Sequence, residues 1–150
     1  MKIPEDFKEL LRFLNSQNVE FLIVGGYALA FHGVPRFTGD LDLFVATSTA
    51  NAKQLILALE KFGMGSLGLK SEDFMSPDTV VQLGYPPLRI DILTEISGVK
   101  WDQAWRNRVS IDLDGIRLNF LSREDLIENK KAVGRHVDLG DLDRLLEQQD

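Results

Sequence analysis

The stretch Gly39-Asp40-Leu41-Asp42-Leu43-Phe44-Val45-Ala46 alternates acid with leucine and then turns wholly apolar. Side chains alternate faces along a strand, so Asp40 and Asp42 project together while Leu41 and Leu43 point into a core. Two carboxylates fixed side by side repel each other unless cations neutralise them. Hard divalent ions such as Mg²⁺ favour oxygen ligands of this kind and keep waters for substrate phosphates. Standing alone, an Asp-x-Asp on a strand also describes an ordinary solvated face.

Working outward, Arg89-Ile90-Asp91-Ile92-Leu93 is another alternating strand with an acid set between isoleucines. Such an Asp disfavours the strand and is costly to desolvate without a partner. Facing the first pair from an adjacent strand, Asp91 would complete a two-metal site. One ion would activate the attacking oxygen and the other would steady the phosphates and the leaving group. Arg89 shares the face of Asp91 by strand periodicity, so neutralising that acid is its simplest role.

Upstream, residues 19–24 predict a strand, broken by Gly25-Gly26 before the short helix of Tyr27-Ala28-Leu29-Ala30-Phe31. Exposed amides at a helix start attract anions, and glycine lets a phosphate approach the backbone. A tight turn is the plain alternative. Arg36 and Thr38 sit on the approach to the Asp pair; Arg36 suits either a triphosphate oxygen or an ion pair with Asp40 or another acid.

The remaining pattern predicts a mixed α/β (α+β) fold. Pro4-Glu5-Asp6 opens a helix with Phe7, Leu10, Leu11 and Leu14 on its buried side. Residues 49–62 predict a second helix and the glycine-rich 63–68 a loop. Strands at 79–83 and 88–93 meet across Gly84-Tyr85-Pro86-Pro87, and strands at 109–113 and 116–120 flank Asp114-Gly115, a strong hairpin signal. Ser122-x-x-Asp125 resembles a capping box and starts a helix to about Val133, which Gly134 ends. Asp138 caps or begins a last helix to Gln148. Trp101 and Trp105, four apart on a helix, read as core packing rather than a base-stacking platform. His32 reads as structural, and His136 has no role by itself. The expected organisation is one domain over 1–150, with 122–150 as its C-terminal helical extension.

Composition narrows the classes. The 150 residues contain no cysteine and two histidines and carry a formal net charge of −6. Disulfides and thiolate metal sites are excluded, and Zn²⁺ has few ligands. No basic run exceeds Lys130-Lys131, which lowers the expectation of tight nonspecific nucleic-acid binding. The sequence shows neither a secretory layout nor a membrane span, so a cytoplasmic protein with no membrane partner is expected.

Val24-Gly25-Gly26, then Pro35-Arg36-Phe37-Thr38-Gly39-Asp40-Leu41-Asp42, then Asp91, resembles the polymerase-beta-type nucleotidyltransferase superfamily. The wording around Asp40 looks most like the small branch that includes the AbiEii-like toxins and minimal nucleotidyltransferases. In the tail, Lys130, Gly134-Arg135 and Asp138-Leu139-Gly140-Asp141-Leu142 are similar to that branch's C-terminal pattern. The resemblance implies a nucleotidyltransferase-like mixed sheet with flanking helices and a short C-terminal helical pair. It implies a nucleoside triphosphate substrate and two Mg²⁺ ions, with Mn²⁺ as an alternative, on Asp40, Asp42 and Asp91. Lys130, rather than Lys131, joins them as a catalytic residue, against the alternative of a solvated helix lysine. Gly25, Gly26, Arg36, Thr38, Arg135 and Asp138 are the implied nucleotide-binding residues. Gly26 stands where many relatives carry serine, so backbone amides would have to replace that hydroxyl. The acceptor stays open among a tRNA end, a protein and a small molecule, and a toxin–antitoxin partner protein is a further candidate. The rival expectation is a non-catalytic nucleotide-binding antitoxin or scaffold module of the same fold; the presence of all three acids speaks against it.

Overall fold

Phe7, Leu10, Leu11 and Leu14 form the fully buried stripe of α1 (Glu5–Ser16), with Pro4 at its N-cap and Glu5 and Asp6 in its first turn. The computed structural model describes residues 1–85 and 88–148. Val19 to Phe21 lead into β1 (Phe21–Val24), buried along its whole length because it lies inside the sheet. α2 (Gly25–Phe31) begins at the first glycine, without an intervening loop. It is followed by β2 (Asp40–Val45), α3 (Thr49–Leu59), β3 (Val80–Tyr85) and β4 (Leu88–Leu93). Then come α4 (Trp101–Asn107), β5 (Val109–Leu113), β6 (Ile116–Phe120), α5 (Arg123–Val133) and α6 (His136–Glu147).

The six strands form one mixed sheet in the order β3-β4-β2-β1-β6-β5. β1 runs antiparallel to β2 and parallel to β6; β2 runs parallel to β4. Two antiparallel hairpins, β3/β4 and β5/β6, close the edges. The fold is therefore the mixed α/β sheet with flanking helices that the sequence predicts. Asp114 and Gly115 take φ of 54° and 80° at the β5/β6 turn, the left-handed pair that a two-residue hairpin loop requires. The other expected connection, Gly84-Tyr85-Pro86-Pro87, falls partly on 86–87, outside the described residues.

Several boundaries and one cap differ from expectation: β1 begins at Phe21 rather than at 19, and β3 runs over Val80–Tyr85 rather than 79–83, taking in Gly84 and Tyr85 of the expected connection. α3 stops at Leu59 instead of Phe62, and the chain widens into a π turn over Glu60–Met64 where Gly63 takes φ of 97°. Ser122 caps α5, its hydroxyl accepting the Asp125 N–H at 3.1 Å, but the Asp125 carboxylate turns to Gln103 and Asn107 rather than closing a capping box. The last helix starts at His136, two residues before Asp138. Asp138 lies in its first turn and accepts the Arg135 backbone N–H, so Arg135 is the cap residue.

Trp101 and Trp105 stack at 5.3 Å, and Trp101 meets Phe44 edge-on at 5.0 Å, so both pack against the core. His32 Nε2 lies 2.8 Å from the Leu121 carbonyl, tying α2 to the end of β6. No helix among the described residues is long and apolar enough to cross a membrane.

Candidate active site

The register of β2 against its neighbours decides which side chains meet. Val24 pairs with Asp42 across the β1–β2 ladder, so the glycine turn that follows Val24 lies beside the acid. Across β2–β4, Asp40 pairs with Arg89 and Asp42 with Asp91. Paired positions in a parallel ladder share a face, so the four side chains form a two-by-two patch of three carboxylates and one guanidinium. Leu41, Leu43, Ile90 and Ile92 occupy the opposite face and are buried, which holds the patch on a rigid floor.

The glycines are required by contact. Gly25 takes φ of 66°, and a Cβ there would collide with Asp42 Oδ2. At Gly26 a Cβ would meet Thr38 Oγ1 at 2.7 Å. A side chain at position 26 is therefore blocked by the threonine, and a hydroxyl is present beside Gly26 after all, supplied by Thr38. That hydroxyl donates to the Asp40 carbonyl at 3.1 Å and pins the approach loop to the start of β2.

Charge on the patch is unevenly compensated. Arg89 Nη2 donates to Asp40 Oδ2 at 2.9 Å and to Asp91 Oδ2 at 3.3 Å. Arg89 Nε stands 3.1 Å from Asp91 Oδ1 as an ion pair, but neither of those buried atoms makes a hydrogen bond. Asp42 has no such partner. Burial pushes its carboxyl up to about 7, the charges of Asp91 and Asp40 add to the rise, and Arg89 opposes it.

A second ionic cluster borders the same cleft. Lys130 is buried, with Nζ 3.2 Å from both Asp138 Oδ1 and Asp141 Oδ2. Arg36 reaches over to Asp141, and Arg135 Nε donates to Asp138 Oδ2 at 2.6 Å. The arginine that the sequence left open between phosphate and acid thus pairs with Asp141, not with Asp40. Lys131 is exposed and, among the described residues, pairs with Glu128 alone. Asp138 is 1% exposed with both carboxylate oxygens taken by Arg135 and Lys130, so its contacts are to protein cations. The Arg135 hydrogen bonds hold its carboxyl down at about 2. Asp141 stands in the tail pattern that the sequence offers, but its partner Arg36, 105 positions away, has no local signal.

Asp40, Asp42 and Asp91 of the first cluster and Arg36, Lys130, Arg135 and Asp138 of the second line one open cleft of about 720 Å³, together with Gly25, Gly26, Phe37 and Thr38. Every residue the sequence nominates borders it: Asp40, Asp42, Asp91, Lys130, Gly25, Gly26, Arg36, Thr38, Arg135 and Asp138. Among the described residues, no three acids or histidines stand close enough together to make a finished metal cage. The donor set nevertheless fits a hard divalent cation. It is all oxygen, it sets three carboxylates against one guanidinium, and it leaves Asp91 Oδ1 buried without a hydrogen bond.

Comparison with known proteins supports the same fold. A Thermotoga maritima protein provisionally assigned as a nucleotidyltransferase superposes with a TM-score of 0.61 at 17% identity, over 95% of this chain and 91% of that one. An antigenic nucleotidyltransferase-like protein from Paracoccidioides brasiliensis superposes with a TM-score of 0.56 at 19% identity, over 92% of this chain and 72% of that one. No curated protein matches the sequence. The family model described as "Nucleotidyl transferase of unknown function (DUF2204)" matches residues 4–150, and the chain belongs to that family.

Proposed function

We propose that the protein moves a nucleoside monophosphate from a nucleoside triphosphate to an acceptor hydroxyl and releases pyrophosphate, in a reaction that depends on Mg²⁺. The observation that carries this reading is the gathering of Asp40, Asp42 and Asp91 on one sheet face beside the Gly25-Gly26 turn. Those three carboxylates would hold Mg²⁺, or Mn²⁺ in its place. Bound there, the cation supplies charge neutralisation and Lewis-acid polarisation of phosphoryl oxygens.

The chain's own groups supply the rest. Backbone amides at Gly25 and Gly26, with the Thr38 hydroxyl beside them, orient the triphosphate. Arg36, Lys130 and Arg135 offset the charge that develops on departing pyrophosphate. The acceptor oxygen bonds to the α-phosphorus as the bond to the bridging oxygen breaks, and Asp91 takes the acceptor's proton. Asp138 and Asp141 serve indirectly, by fixing where those three cations sit.

The acceptor class is a tRNA end, a protein side chain or a small hydroxylated molecule. The sequence resemblance adds a toxin–antitoxin partner protein to that set. The test is incubation with each α-labelled nucleoside triphosphate, Mg²⁺ and cell extract. Label passing to a discrete acceptor, and failing to do so with Asp42→Ala, supports the reading. Mg²⁺-dependent nucleotide binding with no labelled product in any extract would favour a non-catalytic binding module instead.

A further inference from the structure

Arg89 belongs to no part of the reaction just described, yet it sits at the centre of the acidic patch. Its register partner is Asp40, and it stands two residues before Asp91 on β4, so one planar fork reaches both acids from one side. A guanidinium suits this task because its donors lie in a fixed plane and its charge is permanent. Between them, Nη2 and Nε touch Asp40 Oδ2 and both oxygens of Asp91.

We propose that Arg89 is an internal counter-cation which holds Asp40 and Asp91 in the metal-free protein and competes with the divalent ion for them, setting how tightly metal binds before nucleotide arrives. The inference rests on the proposed catalytic reading of the same carboxylates. Two physical effects produce the competition. A fixed positive charge within hydrogen-bond distance of the ligands repels an entering dication. The Oδ2 atoms of Asp40 and Asp91 also accept hydrogen bonds from Arg89 that metal ligation would have to weaken.

The arrangement gives Arg89 a reason to release its hold. Its side chain is 31% exposed although Nε is buried, so the outer part of the fork is open to solvent. A triphosphate offers it another anion at the moment the cation comes in, which makes metal and nucleotide binding mutually favourable.

Manganese binding without nucleotide, followed by electron paramagnetic resonance and calorimetry, tests this directly. Arg89→Gln should bind Mn²⁺ about tenfold more tightly than the unaltered protein, a change on the order of one local charge contact. Arg89→Lys keeps the charge but loses the fork, and should fall between the two. Metal-free Arg89→Gln should melt lower than the unaltered protein and gain more from saturating Mn²⁺. Equal or weaker Mn²⁺ binding by both variants overturns the proposal, because Arg89 would then be positioning the ligands instead of opposing the ion. Failure of every form, the unaltered protein included, to bind Mn²⁺ with or without nucleotide would overturn the catalytic reading along with it.

Discussion

Two acidic clusters border the same cleft, and they treat the same side chain in opposite ways. On the sheet, burial raises the Asp42 carboxyl to about 7, and the like charges of Asp91 and Asp40 add to the rise. On α6, Asp138 stands among cations and its carboxyl falls to about 2. The sheet patch carries three acids against one guanidinium, whereas α6 places two acids against Arg36, Lys130 and Arg135. The helical cluster is complete without a ligand and fixes the position of the cations. The sheet cluster is short of positive charge, and that shortage is what a cation would relieve. Binding capacity thus resides where compensation is unfinished, and rigidity where it is finished.

The largest effect should come from the unfinished cluster. Asp42→Ala is expected to leave the circular dichroism spectrum unchanged and lower nucleotide transfer by about a thousandfold or more, as expected for a lost metal ligand. Activity within a few fold of the unaltered protein would remove Asp42 from the site.

Cutting the finished cluster should act first on stability. Lys130→Ala leaves Asp138 and Asp141 buried with less compensation, which costs about 3 kcal/mol. Its turnover, measured well below the melting temperature, should also fall by ~10-fold or more. Unchanged melting would mean that the buried ion pairs are not formed in solution.

The third way to sharpen the contrast is pH. Asp42 has a folded pKa above the ordinary 3.8, so its contribution to metal-free stability is fully present below about 3.8 and is lost as pH rises through about 7. Asp138 has the reverse sign: its contribution is present above 3.8 and is lost as pH falls through about 2. Asp42→Asn should therefore raise the metal-free melting temperature at pH 8 by roughly several degrees and leave it nearly unchanged at pH 4. Asp138→Asn should flatten the acid limb alone. Parallel pH profiles for the two variants would abolish the distinction between the clusters.

The smallest effect is expected at Lys131, exposed and one position from its buried neighbour. Lys131→Ala should change stability by only a few tenths of a kcal/mol and leave transfer unaltered. Matching losses in Lys130→Ala and Lys131→Ala would indicate that α5 does not present one lysine to the cleft.

Much of this was readable from local pattern. The alternation in Asp40-Leu41-Asp42 and in Ile90-Asp91-Ile92 identifies both strands and the face that their acids share, because strand periodicity is a property of neighbouring residues. The left-handed Asp114-Gly115 turn and the Gly134 helix stop are legible for the same reason. What escaped depends on distance along the chain. Arg36 meeting Asp141 and Arg89 reaching Asp40 follow from sheet order and helix docking, which no window of sequence contains, whereas the Arg89–Asp91 pairing follows from strand periodicity. The start of α6 differs from expectation because Asp138 looks like a cap by composition, while its carboxylate reaches back to Arg135 from inside the first turn. The π turn at Glu60–Met64 was hidden because Phe62 continues the apolar helical stripe past the residue where the α-helix ends.

The contact between Gly26 and Thr38 has a consequence for anyone varying this protein. With 2.7 Å between a would-be Cβ at 26 and Thr38 Oγ1, the two positions share a single space, so they are coupled in what each will accept. Serine at 26 should be tolerated only when 38 shrinks to alanine or glycine, which moves the hydroxyl from one side of the gap to the other. Randomising position 26 alone would then return glycine and suggest a requirement independent of its neighbour. A paired library should instead recover both solutions, trading places across one small volume.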